Sequence, residues 1–234
     1  MASPLDQFKI ITLVPLKFGS IDISFTNSSL CMLIAAVLCI AIPYMLLNEK
    51  RFVIVDTLME FVRTMTEKYI GDMTYFPLVI SLFLFLALSN LIGVIPGAFT
   101  TTSHISMTLF LAASMYLFII GCGFYHNGLG FFRIFFPKGI PVYVAPLLIP
   151  IEIISFFTKP ISLAVRLFAN MLAGHIMVKI FVGFSVLLGL NPFSLLPIGA
   201  NVLLIGFEVF VAVIQAYVFT LLTCLYLNDV LNLH

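Results

Sequence analysis

The chain has 234 residues, of which 62% are hydrophobic and 9% are charged, and its formal net charge is +1. A charged fraction this far below the ~25% of soluble domains excludes a soluble protein and predicts an integral membrane protein. The nearly balanced charge argues against a nucleic-acid partner. Because the apolar segments leave no room for a separate soluble domain, we interpret residues 1–234 as a single membrane domain.

Residues 1–28 are expected to form a polar N-terminal tail. The segment MASPLDQFKIITLVPLKFGSIDISFTNS lacks the basic start, the apolar block and the small-residue cleavage site of a signal peptide. It also lacks the Arg- and Ser-rich amphipathic pattern of a transit peptide. We therefore expect the tail to be retained in the mature chain.

Three segments have the length and composition of ordinary membrane-spanning helices, which need about 20 apolar residues. They are residues 29–48, 74–96 and 103–124. Pro96 and Gly97 mark a tight turn between the second and the third of them.

Residues 52–72, between the first two spans, are predicted to form an amphipathic helix on the membrane surface. One helical face carries apolar side chains, and most of the charged side chains lie elsewhere on the helix. The apolar positions are Leu58, Phe61, Val62 and Met65, and the charged positions are Glu60, Arg63, Glu67 and Lys68.

The last two apolar segments, residues 144–190 and 193–227, are each much longer than a perpendicular span requires. Helices of this length must tilt strongly or bend. Pro150 and Pro160 permit a bend in the first of them, because each proline removes a backbone donor. The sequence therefore predicts an all-α integral membrane protein with about five membrane helices, one surface helix and a long, tilted C-terminal hairpin.

The distribution of basic residues predicts the orientation of the chain. Basic side chains gather in two connections that fall on the same side of the membrane, whereas the turns near Gly97 and Asn191 carry none. By the positive-inside rule, these connections and the C-terminus face the cytoplasm or its organellar counterpart. The basic residues concerned are Lys50, Arg51, Arg63, Lys68, Arg133 and Lys138.

The four cysteines, Cys31, Cys39, Cys122 and Cys224, occur singly inside apolar segments without any CxxC pair. This pattern predicts neither a disulfide framework nor a zinc site. We interpret the cysteines as small buried hydrophobic residues, and we expect no metal and no cofactor.

Arg166 lies in the middle of the first long segment, where a charged side chain costs at least ~2.5–3.5 kcal/mol on insertion scales. Arginine cannot escape this cost by losing its proton. Arg166 is therefore a permanent positive charge within the membrane. A purely structural role in holding helices together is the alternative to a functional one.

Helical periodicity assigns directions to the polar groups of the two long segments. At 100° per residue, Arg166 and Asn170 share a stripe, whereas His175 points to roughly the opposite side. Glu208 and Gln215 share one face of the last helix. If the two helices form an antiparallel hairpin, Glu208 and Gln215 are expected to meet the polar groups of the other helix.

Five polar residues each have two interpretations. His104 lies near the start of the predicted span 103–124. It is either an anchor at the membrane interface or a group that accepts and releases protons. Glu152 is either a structural group or part of a transport path, and the same choice holds for Asn170. His175 and Glu208 are either a satisfied packing contact or a pair that exchanges protons.

Two segments resemble the signature helices of subunit a of the rotary F-type ATP synthase, namely KPISLAVRLFANMLAGHIMVKI and GFEVFVAVIQAYVFTLLTCLYLND. The similarity extends to SPLDQFKI, DISFTNSSL, NLIGVIPGAFTTTSH and YLNDVLNLH, and so covers nearly the whole chain. The resemblance implies a stator subunit that conducts protons past the ring of c subunits, with the C-terminal hairpin against that ring.

The resemblance also implies residue roles. Arg166 would face the c-ring and meet the ionised carboxylate of each passing c subunit. His175, Glu208 and His104 would line the half-channel from the proton-rich side. The resemblance further implies that Glu152 belongs to the opposite half-channel and that Asn170 and Gln215 lie near the arginine.

Further expectations follow from the resemblance for the complex as a whole. ATP would be made on other subunits, so this chain would have no catalytic site, and it contains no GxxxxGK phosphate loop. Its partners would be the c-ring, the peripheral stalk, other membrane-sector subunits, lipid and protons. The placement of His175 and Glu208 is similar to that in mitochondrial and alphaproteobacterial members. This similarity predicts the mitochondrial inner membrane, with a bacterial inner membrane as the alternative.

Two other protein classes compete with this interpretation. A secondary ion or solute transporter would use internal repeats and broken helices around a midplane site, and the sequence shows no convincing repeat. A haem-bearing electron carrier would need paired axial histidines, and the histidines do not form a facing pair by periodicity.

Overall fold

The computed structural model describes residues 11–15, 17–18, 21–22, 24–47, 53–95, 100–135, 145–189 and 192–232. Six α-helices make up most of this part of the chain. They are α1 (Asn27–Leu47), α2 (Val53–Tyr69), α3 (Phe76–Val94), α4 (Ile105–Asn127), α5 (Ala145–Leu188) and α6 (Leu195–Leu231). The predicted all-α class of the fold is confirmed.

Among the described residues, four helices are long and apolar enough to cross a membrane, and α1 contributes a shorter apolar stretch. The four spans are Met73–Val94, Ile105–Asn127, Pro146–Leu188 and Leu195–Leu231, and the apolar stretch of α1 is Asn27–Ala41. With 44 residues, α5 is about 66 Å long at 1.5 Å per residue, more than twice the thickness of the hydrocarbon core.

In the described part of the N-terminal tail, four short strands precede α1, a feature that the sequence did not predict. The strands β1 (Thr12–Val14) and β4 (Phe25–Thr26) pair antiparallel, as do β2 (Lys17–Phe18) and β3 (Ile21–Asp22). Asn27 fastens this segment to the start of α1, because its side-chain oxygen accepts from the Ile11 amide at 3.2 Å. Residues 1–10 of the predicted tail lie outside the described part of the chain.

The charged helix α2 packs against the bundle through one apolar face. Val62 and Met65 are buried, whereas Glu60 and Glu67 are exposed. A 3₁₀ turn (Met73–Tyr75) then leads into α3, and Asp72 caps it. The amide and the hydroxyl of Thr74 donate to Asp72 Oδ1 at 2.9 and 2.7 Å, and these hydrogen bonds lower the pKa of Asp72.

Helix α6 is the centre of the bundle, because it contacts α3, α4 and α5 and also touches α2. Its core positions Phe219 and Leu227 are fully buried. Two side-chain amides from neighbouring helices bond to its backbone. Asn90 Nδ2 on α3 donates to the Ala212 carbonyl at 3.2 Å, and Asn127 Nδ2 at the end of α4 donates to the Val230 carbonyl at 2.8 Å.

The long helices α5 and α6 lie side by side as a hairpin. Gly189 follows α5 with φ +60°, a conformation that L side chains rarely adopt, and its amide donates to the Val186 carbonyl at 3.3 Å. Pro150 and Pro160 both lie inside the continuous helix α5. The hairpin therefore sets the polar residues of α5 against those of α6.

Candidate functional site

Arg166 lies on a face of α5 that the rest of the described chain leaves uncovered. Asn170, Ala173 and Met177 follow it along the helix and are also exposed. Farther along the hairpin, at the level of His175 and Glu208, large apolar side chains of α6 such as Phe207 are exposed as well. Among the described residues, no carboxylate forms an ion pair with Arg166. The arginine is thus a permanent charge on an exposed face of α5.

His175 and Glu208 meet between α5 and α6, where their residues are only 5% and 6% exposed. The atoms His175 Nε2 and Glu208 Oε1 are 3.8 Å apart. His175 Nε2 also lies 2.7 Å from the Thr100 hydroxyl, which donates to the Gly93 carbonyl at 3.1 Å. The tautomer of His175 decides whether Nε2 or the Thr100 hydroxyl donates in this contact. We call Thr100, His175 and Glu208 the His175 cluster.

Two glycines make room for the His175 cluster. A Cβ on Gly174 would lie 2.7 Å from Glu208 Oε1 and 2.9 Å from its carboxyl carbon. A Cβ on Gly93 would lie 2.6 Å from Thr100 Cγ2. Among the described residues, Glu208 Oε1 accepts no hydrogen bond. The helices therefore approach closely around a carboxyl group that still has a free acceptor.

A pair of side-chain amides lies on the same interface, nearer to Arg166. Asn170 Nδ2 donates to Gln215 Oε1 at 2.9 Å. Gln215 is buried, and its Nε2 group has no hydrogen-bond partner among the described residues. The five residues from His175 to Asn170 correspond to roughly 7 Å along α5. Polar groups thus continue from the His175 cluster toward the arginine.

His104 directly precedes α4 and is half-buried. It follows the 3₁₀ turn Thr101–Ser103, and this turn also contacts α5. Its carbonyl accepts from the Met107 amide at 3.1 Å. His104 is therefore close in sequence to Thr100 of the His175 cluster, at the same end of the bundle.

Glu152 lies far from His175, in a second polar region. It lines a cavity of about 130 Å³ together with Lys159 and Asp229. Lys159 Nζ is 3.9 Å from Asp229 Oδ2 and 4.8 Å from the centre of the Tyr226 ring. Glu152 and His175 are separated by about 35 Å along α5, with Arg166 between them. We call Glu152, Lys159 and Asp229 the Lys159 cluster.

The structure brings together some of the residues that the sequence singled out and adds others. His175 meets Glu208, and Asn170 meets Gln215. The sequence predicted that Glu208 and Gln215 would meet polar groups of the other helix, but not which ones. Sequence reasoning missed Thr100 and Asp229, whose contacts join residues 75 and 70 positions apart. Helical periodicity within one segment contains no signal for such contacts.

The arrangement defines a chemical class. Among the described residues, no group of three His, Cys, Asp or Glu side chains could hold a metal ion. The bundle instead combines a buried acid and base, a line of amides and an intramembrane arginine facing outward. Intramembrane ionisable groups of this kind mark ion pathways. The fold and the site therefore define an ion-conducting membrane protein.

Comparison with known proteins identifies the family. The sequence profile of the family described as ATP synthase A chain matches residues 25–228. ATP synthase subunit a of Rhodospirillum rubrum is 44% identical over 246 residues, covering 100% of both chains. The subunit of Pelagibacter ubique is 44% identical, and the alignment covers 99% of this chain and 98% of that subunit. The subunit of Mesorhizobium japonicum is 46% identical, and the alignment covers 98% of this chain and 96% of that subunit. This chain belongs to the ATP synthase A chain family.

Membership of this family confirms the interpretation as subunit a of an F-type ATP synthase. The chain is a proton-conducting subunit of the membrane sector, it is not itself catalytic, and it works in a complex with other subunits. The interpretation as a secondary transporter is not supported. The chain is a multi-pass membrane protein, and the relatives named above are bacterial, so a mitochondrial location is not confirmed.

Proposed function

We propose that protons cross this subunit through two offset half-channels that meet beside Arg166 at the ring of c subunits. The observation that carries the proposal is the exposure of Arg166 on an uncovered face of α5, without a carboxylate partner among the described residues. A charge at such a position needs a partner. A carboxylate on a passing c subunit supplies that partner.

Arg166 acts through its fixed positive charge. An opposite charge within a few ångströms favours the ionised form of a carboxyl group, so each c-subunit acid releases its proton as it reaches Arg166. The same charge repels protons that would otherwise pass directly from one half-channel to the other. The proton must then travel with the ring, and the ring must turn.

The His175 cluster forms the half-channel from the proton-rich side. His175 and Glu208 are close enough for a proton to move between them after a small rotation or through one water molecule. An imidazole has two ring nitrogens, so it can accept a proton at one nitrogen and release a proton from the other. Asn170 and Gln215 continue the path toward Arg166, and His104 stands near the mouth of this half-channel.

Glu152 belongs to the opposite half-channel. Its cavity lies toward the other end of α5, and Asp229 and Lys159 are among its lining residues. A proton that leaves the ring beyond Arg166 passes to Glu152 and then to the solution on that side. The offset of the two clusters along α5 supports this division of roles.

We also propose the surroundings of the subunit. The helix at 52–72 lies on the membrane surface, the segments 144–190 and 193–227 form the tilted hairpin against the c-ring, and the peripheral stalk completes the stator. The bacterial relatives favour a bacterial inner membrane over the mitochondrial inner membrane. We expect c subunits to remain attached when the tagged chain is purified from bacterial inner-membrane vesicles. Recovery without c subunits would count against the proposed partner.

The test of the central role is Arg166→Ala in membranes that contain the assembled complex. We expect gradient-driven ATP synthesis to be abolished, and a passive proton leak would identify Arg166 as the seal as well. Arg133→Ala is the matched control, because Arg133 is an exposed arginine in the 3₁₀ segment Gly128–Phe135. Normal synthesis with Arg166→Ala would show that the arginine is structural and would overturn the proposal.

A further inference from the structure

Pro160 creates a break in the hydrogen bonding of α5. In an α-helix the amide of each residue donates to the carbonyl four residues earlier, and proline has no amide hydrogen. The Phe156 carbonyl therefore loses its intrahelical donor, although helix α5 continues through this point. Phe156 is buried, so water does not readily replace the missing donor.

Tyr116 on α4 supplies the donor that Pro160 lacks. Its hydroxyl donates to the Phe156 carbonyl at 2.5 Å. The rings of Tyr116 and Phe156 also pack against each other, with centroids 4.9 Å apart, and Tyr116 is only 7% exposed. A side chain of one helix thus completes the backbone hydrogen bonding of another helix where Pro160 removes a donor.

The position of this bond connects it to the Lys159 cluster. Phe156 is one turn after Glu152 and one turn before Pro160, and Lys159 is the residue before that proline. Tyr116 itself lines the cavity that Glu152, Lys159 and Asp229 share. A change in the direction of α5 at Pro160 would move Glu152 relative to Arg166, because the two residues lie on opposite sides of the missing hydrogen bond.

We propose that Tyr116 is a positioning residue for proton transfer at Glu152, which it serves by holding the Pro160 break of α5 in one geometry. This inference rests on the proposed role of Glu152 in a half-channel. Tyr116 acts through the Phe156 carbonyl, and it need not carry the proton. Without the hydroxyl, the buried carbonyl would lack this donor and the direction of α5 at Pro160 would vary, so that fewer complexes would hold Glu152 in a productive position.

The first test compares Tyr116→Phe with the unaltered chain in assembled complexes in membrane vesicles. We expect the maximal rate of gradient-driven ATP synthesis to fall several-fold. The pH dependence should change when the pH is varied on the Glu152 side and stay the same when it is varied on the His175 side. Tyr125→Phe is the matched control, since Tyr125 is on the same helix and 88% exposed. An unchanged rate with Tyr116→Phe would refute the proposal.

The second test uses Pro160→Ala to restore the missing amide. In that background the new backbone amide at position 160 can donate to the Phe156 carbonyl, so Tyr116→Phe should change the rate less than about twofold. The same several-fold loss in both backgrounds would refute the proposal, because the hydroxyl would then act at another group.

If Pro160→Ala alone stops synthesis, the rate of synthesis can no longer be compared. In that case we measure hydrogen exchange of the backbone amides at 161–164 in the purified complex. Faster exchange is expected with Tyr116→Phe only where Pro160 is present, and equal exchange would contradict the proposal.

Arg166→Ala measured in the same vesicles separates the two proposals. Synthesis that survives Arg166→Ala would overturn the proposed function as a whole. Synthesis that is lost with Arg166→Ala but unaffected by Tyr116→Phe would overturn the role of Tyr116 alone.

Discussion

The His175 cluster and the Lys159 cluster lie on either side of Arg166 along α5, and they are built differently. In the His175 cluster a histidine and a glutamate are almost fully buried, and glycines leave space for them. In the Lys159 cluster the ion-paired side chains of Lys159 and Asp229 are 31% and 57% exposed. A buried acid has few ways to replace a lost partner, whereas a partly exposed ion pair can be replaced by water. Substitutions in the His175 cluster should therefore reduce ATP synthesis more than substitutions in the Lys159 cluster.

The largest effect is expected from Glu208→Gln. The amide keeps the size of the side chain but cannot bind and release a proton, and loss of a positioned acid or base costs about 100-fold or more. We expect gradient-driven ATP synthesis to fall below one tenth of normal. Glu67→Gln, on the exposed face of α2, should retain normal synthesis. Substantial synthesis by the Glu208→Gln complex would show that this carboxyl group is not on the proton path.

Gly174→Ala should have the next largest effect. The added methyl would lie 2.7 Å from Glu208 Oε1, so α5 and α6 must separate or the carboxyl group must move. Overpacking of this kind costs about 1–3 kcal/mol. Proton conduction in vesicles should fall several-fold. Gly183→Ala on the same helix meets open space and should conduct normally. Equal behaviour of the two variants would mean that the close packing around Glu208 is dispensable.

Thr100→Val should have an intermediate effect. Valine has the shape of threonine but removes the hydroxyl that His175 Nε2 contacts, and a hydrogen bond of this type contributes about 0.5–1.5 kcal/mol. We expect ATP synthesis to fall about threefold to tenfold, as that free energy implies. Thr100→Ser keeps the hydroxyl and should restore most of the rate. If serine and valine behave alike, the hydroxyl does not orient His175.

Lys159→Gln should have the smallest effect. It removes a partly exposed ion pair with Asp229, which contributes about 0.2–1 kcal/mol. We expect ATP synthesis to change less than about twofold, and raising the salt concentration should reduce the difference further. A loss as large as that of Glu208→Gln would show that the two clusters do not differ as their exposure indicates.

Much of the site follows from spacing along single helices. The 100° rule separates Arg166 from His175, and in the structure one is exposed and the other buried. The seven-residue spacing of Glu208 and Gln215 brings both onto the interface with α5. These relations hold because a helix fixes the direction of each side chain relative to its neighbours in sequence.

Contacts between helices could not be derived in the same way. Pro160 indicates that the Phe156 carbonyl lacks a donor, but the sequence does not say that Tyr116 on α4 provides it. The rotation and height of one helix against another depend on the packing of the entire core. The short strands before α1 were missed for a related reason, since segments of two or three residues are too short to show a period.

The uncovered face around Arg166 also bears on the biogenesis of the subunit. A chain inserted before its partner arrives must hold Arg166 against lipid, at a cost of at least ~2.5–3.5 kcal/mol. Large apolar side chains that are exposed elsewhere on the subunit, such as Phe207 and Phe210, can contact lipid without such a cost. The unassembled subunit is therefore apolar enough to be inserted into the membrane, but the charge of Arg166 destabilises it until assembly. Such a subunit is expected to turn over faster than the assembled one, and Arg166→Leu should lengthen its lifetime in cells that lack the c-ring.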